Sequence, residues 1–362
     1  MNKININIKS EVETLQKVLV HTPGLEMNLL NSQNTSEFNF DFEKKTFCEN
    51  QNFLLWDDTI YLDGAIREHR EMCQVIDSLA GGKVCIQFKE LFEEYHRPWT
   101  EKEIVANLLF TRDLAFSFGS TTVVSWNSKT ARNQENIFTN SLFKTHPSLN
   151  ENKVVFFHDT YPDLTIEGGD VMIFDNKTIM VGLSERTKKE SIQALLPHFL
   201  DEGFTNVVGV SLPKKRTFMH LDTVLTKIDK NDYLIYETED PVDYIKFTAS
   251  NPRGQNLTSH NLSTIVKQFD ELATLYNCSQ NEQWTCGSNA LAVSPGKILL
   301  YERNQKTIEN LIQNGGYTGY TPKEIINGAF NDNEKIVVSI NGSELSRGRG
   351  GARCMTMPLA RG

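Results

Sequence analysis

No two of the six cysteines stand at CxxC spacing: Cys48, Cys73, Cys85, Cys278, Cys286 and Cys354 are scattered along the chain. That absence excludes a zinc ribbon and a dithiol redox motif, and it leaves most of these thiols as free, buried small hydrophobes. Long apolar runs are missing as well. The opening segment 1–8 has one lysine but neither a long apolar region nor a small-residue cleavage site, so no membrane partner is expected and the chain reads as cytoplasmic. Basic residues are in deficit, 37 lysines and arginines against 46 acidic residues, for a net charge of -9. Such a balance argues against nucleic acid and membrane surfaces as partners. The 362 residues, 39% of them hydrophobic, are enough to bury a substantial core in one large domain or two ordinary ones.

What the chain does have is a dense run of glycine and arginine around one cysteine near the C-terminus. Residues 346–358 read SRGRGGARCMTMP. Glycines permit tight bends and close backbone approach to a ligand, and arginines favour thiolate over thiol. Cys354 is therefore the candidate nucleophile. Cys73 and Cys85, set among apolar neighbours, read as structural.

A second regularity runs through the chain. The apolar run Val171–Phe174, the turn Asp175–Lys177 and the run Thr178–Leu183 predict a β-hairpin. Thr187–Leu200 carries Ile192, Leu195, Leu196 and Phe199 at the spacing of one helical face, with Pro197 expected to interrupt it near the end. Asn206–Leu212 supplies another strand. The same order recurs from Asn289 to Ile340 and around Leu114–Trp126, with further copies indicated at Thr223–Tyr236 and from Lys17. One ββαβ unit copied around an axis buries strands inside, carries helices outside and gathers the loops of one end at a centre. The fold is thus expected to be α/β, with its chemistry just before each hairpin.

Those positions are polar: Phe110–Asp113, Ile166–Asp170, Met219–Asp222, Gln283–Asn289 and the Cys354 loop. They contain what a thiol nucleophile for a cationic substrate requires, namely a base, an orienting group and carboxylates. Each residue has a bland rival. A histidine before a strand is more often a satisfied structural group, but His220 has Asp222 two residues on, on the same face under strand alternation. Asp113 by itself fits pairing with Arg112 or capping a turn, and Glu167 with Asp170 fits an acidic turn. The functional reading rests on concurrence across the repeat. His21, His69, His96, His146, His158, His198 and His260 lack comparable surroundings and read as structural or surface residues.

Several blocks together resemble the arginine deiminases, members of the guanidino-group-modifying superfamily: EVETLQKVLVHTPGLE, LLWDDTIYLDGAIREH, NLLFTRD, ARNQE, IEGGDVM, SERT, MHLDTV and SRGRGGARCMTMPL. They run from end to end, and the ordered set with MHLD and the Cys354 loop is specific where EGGD alone is weak. The resemblance implies a pentein, a five-bladed pseudosymmetric α/β propeller of ββαβ modules, with one catalytic domain over residues 1–362. In place of the family's larger helical insertion, residues 64–100 would form a short, mainly helical connection. Leu114 stands where a proline is usual, and Cys286-Gly287 where an acidic residue and glycine are common. Cys286 is expected to be buried and structural.

The same resemblance implies hydrolysis of L-arginine to L-citrulline and ammonia, with no cofactor and no metal. A guanidinium stays positive at any usable pH, so a thiolate attacking its carbon needs the cation clamped. By resemblance Asp113 and Asp222 form the clamp, Cys354 adds to the carbon, His220 serves as acid and then base, and Glu167 orients His220. Arg132 and Arg186 match the arginines that bind the substrate carboxylate, beside Asn107; Phe110 packs on the substrate, and Gly348 and Arg349 belong to the nucleophile loop. Amidino transfer, an arginine dihydrolase reaction and a non-catalytic arginine-binding relative are the alternatives. A homo-oligomer is left open.

Overall fold

Short apolar runs separated by tight turns close as antiparallel hairpins, and each hairpin gains a third, parallel strand after an intervening helix. The computed structural model, which describes residues 3–98, 100, 103 and 105–362, contains five such units in five sheets. Ala115–Phe118 pairs with Thr121–Val124, the helix Asn133–Thr145 follows, and Lys153–Phe156 joins in parallel. Val171–Ile173 and Thr178–Leu183 repeat this with the helix Lys189–Asp201 and the strand Asn206–Ser211. Leu225–Lys227 and Asp232–Ile235 do so with Leu262–Phe269 and Thr274–Asn277. Leu291–Ser294 and Lys297–Tyr301 precede the helix Gln305–Gly315 and the parallel strand Lys335–Ile340.

The remaining unit is assembled from both ends of the chain. Met357–Arg361 runs antiparallel to Leu15–Val20, the helix Leu62–Leu79 follows, and Cys85–Gln87 pairs in parallel with Leu15–Val20. Pattern reading pointed to the second of these strands and gave no sign that the C-terminal strand would be its partner. Residues 64–100 thus hold most of that helix, the strand Cys85–Gln87 and the helix Phe88–Tyr95, with residue 99 outside the described residues. Two strands not foreseen, Val242–Thr248 and Asn251–His260, extend the sheet of Thr178–Leu183.

Pro197 does not interrupt its helix, which continues to Asp201. A proline there forfeits the bond to the carbonyl four residues back, at about 3 kcal/mol. Ile192, Leu195, Leu196 and Phe199 are all buried against Ile179, Val181 and Val207, and each such side chain stabilises by about 1.5–3 kcal/mol. Packing therefore outweighs the lost bond. No helix among the described residues is long and apolar enough to cross a membrane.

The segments leading into three hairpins are single helical turns, Thr111–Asp113, Gly168–Asp170 and Leu221–Thr223. The middle one touches both of the others. His220 and Asp222 consequently do not share a strand face as alternation predicts: His220 is the extended residue before the turn, and Asp222 lies within it. Convergence of the loops, not strand periodicity, brings the two toward one centre.

Candidate active site

His220 is held between two carboxylates. Its Nε2 donates to Glu167 Oε2 at 2.8 Å, and its Nδ1 faces Asp113 Oδ1 at 3.6 Å. Gly169 makes this approach possible, because a Cβ there would stand 2.6 Å from His220 Nδ1 and 2.8 Å from Asp113 Oδ1. Asp170 fixes the segment from behind, accepting from Leu221 N at 2.9 Å and from Ser184 Oγ at 2.7 Å. Asp113 pairs with Arg132, Oδ2 to Nη1 at 2.6 Å. Arg112, the alternative partner, turns away and donates from Nε to the Arg353 carbonyl at 3.3 Å.

The Cys354 loop is anchored just as closely. Cys354 N donates to Asn289 Oδ1 at 3.1 Å, and Asn289 Nδ2 donates to the Asp222 carbonyl at 3.1 Å. The thiol itself lies 3.7 Å from Asp222 Oδ2, an oxygen that also accepts from Arg353 Nη1 at 2.9 Å. Gly350 sits against the Phe110 ring, where a Cβ would come within 2.1 Å of a ring carbon. Tyr301 donates to the Gly350 carbonyl at 2.9 Å. Between these glycines Arg349 takes φ +61, pairs through Nε with Asp57 and lies over the Trp284 ring.

Asn107, Phe110, Asp113, Arg132, Arg186, His220, Gly348, Arg349 and Cys354, all expected from the sequence, line one cavity of about 30 Å³. Glu167 stands behind His220, and Asp222 stands beside the thiol. Not foreseen were Leu55, Arg216 and Thr223 in the lining and Tyr301 in the support, while Met219 in the lining and Asn289 in the support lie in segments singled out from the sequence without a role for them. Arg216 had a signal, standing in KKRTF directly before MHLD, and Leu55 lies in the block LLWDDTIYLDGAIREH. Cys286 is only partly buried, takes φ +66 and borders the adjoining cavity that also reaches Cys354.

Two oxygens in this buried site accept no hydrogen bond: Asp113 Oδ1 and Asp222 Oδ1. A buried carboxylate oxygen left unpaired is costly, so the pair marks where a cationic ligand with N–H donors is wanted. Burial, Asp222 and Asp113 hold the Cys354 thiol well above its ordinary pKa. Burial alone would also push His220 down, but Asp113 and Glu167 raise it to about 10. Glu167 stays a carboxylate against its own burial because Arg186 and His220 face it. Asp113, Glu167 and His220 are near enough to one another to ligate an ion. Arg132 and Arg186 already neutralise the two carboxylates, however, so the donor set suits a proton on His220 better than a metal ion.

The raised pKa has a measurable consequence. Charged His220 stabilises the fold fully below its unfolded pKa of about 6.5 and loses that contribution as pH rises through about 10. The melting-temperature gap between the wild type and His220→Asn should narrow between pH 7 and pH 10.5. A constant gap would mean that His220 is neutral in the native state.

A buried thiol lining one cavity with a protonated histidine, and two unsatisfied carboxylate oxygens, are the equipment of a cysteine enzyme for a planar cation. The arginine deiminase family model matches residues 100–361, and the chain belongs to that family. It is 28% identical to the arginine deiminase of Mycoplasma capricolum subsp. capricolum, over 98% of this chain and 97% of the relative. That alignment runs over 431 positions, more than the 362 residues here, so the relative carries additional segments. Among solved structures, the N-terminal domain of ArgZ, an arginine dihydrolase from the ornithine-ammonia cycle in cyanobacteria, superposes with a TM-score of 0.59. The identity is 15%, over 96% of this chain and 98% of that one. AgrE, in its complex with ornithine and NAD+, gives a TM-score of 0.58 at 14% identity; this chain spans only 40% of its length. These likenesses show an α/β fold shared with those proteins.

Proposed function

We propose that the protein hydrolyses the guanidino group of L-arginine to L-citrulline and ammonia through a covalent adduct on Cys354. The observation that carries this reading is the pair of unsatisfied oxygens, Asp113 Oδ1 and Asp222 Oδ1, in the pocket of a buried thiol. A guanidinium placed between them supplies the missing donors. It also removes the charges that oppose ionisation of Cys354, so the thiol releases its proton to solvent and the nucleophile forms when the substrate cation arrives.

The thiolate then adds to the electron-poor carbon and gives a tetrahedral adduct. His220, protonated at neutral pH, gives its Nδ1 proton to the departing nitrogen, and ammonia leaves a thiouronium bound to Cys354. Neutral His220 next takes a proton from water, whose oxygen attacks the same carbon. Collapse of the second adduct frees the thiolate and yields the ureido product. Glu167 keeps the ring oriented throughout, Phe110 and the adjoining glycines pack on the planar group, and Asn107 and Arg186 line the pocket.

The five units are read as the blades of a pentein propeller in one catalytic domain, a reading supported by the pairing of the two chain ends in one sheet. The short connection over residues 64–100 accords with the greater length of the Mycoplasma relative. Six free cysteines fit a reducing, cytoplasmic setting.

The test is product analysis by mass spectrometry after incubation with arginine. Citrulline and one equivalent of ammonia are expected. Ornithine with two equivalents would indicate a dihydrolase, transfer to glycine would give guanidinoacetate, and no product would point to a binding protein. Arg186→Ala should raise KM for arginine about tenfold and also lower kcat, since Arg186 Nη1 lies 3.6 Å from Glu167 Oε2 and its loss disturbs the His220 pair. A change in KM alone would separate Arg186 from the histidine.

A further inference from the structure

Glu11 opens the N-terminal block EVETLQKVLVHTPGLE. It is buried, 8% exposed, and stands just before the strand Leu15–Val20, as Arg353 stands just before Met357–Arg361. Pairing of those two strands brings together residues 342 apart in sequence, and Arg353 Nε donates to Glu11 Oε1 at 2.9 Å. The two ends of the chain thus meet next to the nucleophile. Arg353 is wholly committed there: its Nη1 donates to Asp222 Oδ2 at 2.9 Å and its Nη2 to the Val171 carbonyl at 2.8 Å. One planar fork therefore joins Glu11 to Asp222, and the Asp222 oxygen left without a partner is Oδ1. Glu11 and Arg353 stand outside the lining of the Cys354 cavity. Any effect they have on it passes through Asp222.

Two more buried arginines, Arg112 and Arg361, act on the same carboxylate. Arg112 Nε donates to the Arg353 carbonyl at 3.3 Å and Arg361 Nη2 to the Ala292 carbonyl at 2.9 Å, so carbonyls take these hydrogens and Glu11 balances the charge. Burial alone would push Glu11 up, yet Arg353, Arg112 and Arg361 hold it below the usual carboxylate range. It is an anion in a dry place, kept so by its partners. Without it the whole charge of Arg353 would fall on Asp222. That carboxylate would then have less left for a substrate cation and would oppose ionisation of Cys354 less.

We infer that Glu11 is a positioning residue for the reaction: by sharing Arg353 with Asp222 it fixes that carboxylate and keeps its charge available to the substrate guanidinium. This rests on the arginine reaction proposed above. Glu11 touches neither the substrate nor the reacting atoms, so its signature is a selective effect on a positively charged ligand. A merely structural residue would weaken a charged and a neutral ligand alike.

The test compares calorimetric binding of arginine, a cation at its side chain, with that of citrulline, neutral there, to Glu11→Gln and Glu11→Asp in a Cys354→Ala background. For Glu11→Gln, Kd for arginine should rise about tenfold and Kd for citrulline by less than about threefold. Glu11→Asp keeps the charge and should recover most of the loss. The groups facing the thiol are Asp222, Asp113 and Cys286; with Asp222 more fully offset, alkylation of Cys354 by iodoacetamide at pH 8 should run about tenfold faster in Glu11→Gln. Should Glu11→Gln fail to fold, Glu11→Gln/Arg361→Gln, which removes one buried charge of each sign, takes its place with the same expected contrast. Equal losses on arginine and citrulline would overturn the assignment, as would unchanged alkylation in the folded variant. Failure of the wild type to form citrulline would count against the reaction, while the binding and alkylation arms would still decide the role of Glu11.

Discussion

Replacing Cys354 by alanine is expected to abolish citrulline formation, by about 10^4-fold or more, while leaving a folded protein that still binds arginine. The size of the loss follows from chemistry: without the sulfur no covalent adduct forms, and water alone must attack a resonance-stabilised cation. Binding survives because the clamp does not involve the thiol, Asp113 Oδ1 and Asp222 Oδ1 remaining unpaired and available. The fold survives because the Cys354 loop is held by other bonds, among them those from Tyr301 to the Gly350 carbonyl and from Cys354 N to Asn289. A citrulline assay with calorimetric titration of arginine checks both halves. Undiminished turnover would overturn the mechanism.

His220→Asn should lower kcat about 10^2- to 10^4-fold at neutral pH, the usual range for loss of a general acid and base, with a smaller change in KM. Glu167→Gln gives the more specific readout. Glu167 and Asp113 are what keep His220 protonated up to about pH 10 against its burial. Removing one of these charges lets the pKa fall, so the alkaline limb of the kcat profile should move to lower pH. In the same experiment the acidic side should change less. A Glu167→Gln profile that superposes on the wild type after scaling would reduce Glu167 to a structural residue.

Much of the site could be read along the chain because the repeat puts chemistry at the same place in successive units. Asp113, Glu167, His220 and Cys354 each stand just before a hairpin strand, and short-range patterns locate hairpins well. The helix face of Ile192, Leu195, Leu196 and Phe199 was legible for the same reason, since periodicity reports burial directly. Pro197 was misjudged because a local rule met a packed face that outweighed it. Asp222 was correctly grouped with His220 but for the wrong geometric reason, the turn Leu221–Thr223 replacing the strand that alternation implies. Asn289 and Tyr301 escaped notice as supports because each acts on a partner far away in the sequence, and neither carries a charge pattern.

The sequence by itself determined the repeated unit and the residue types gathered around Cys354, because these depend on spacing and on side-chain chemistry. Only the tertiary structure decided how the arginines are used. Arg132, Arg186, Arg216 and Arg349 look alike in a string of letters, yet Arg132 is saturated by Glu135 and Asp113, Arg186 faces Glu167, Arg349 is tied to Asp57 over Trp284, and Arg216 is held at the pocket wall by Asp57 and the Leu55 carbonyl. Which donors are already spent depends on neighbours brought from distant units, and that distribution follows from the way the chain closes, with Met357–Arg361 against Leu15–Val20.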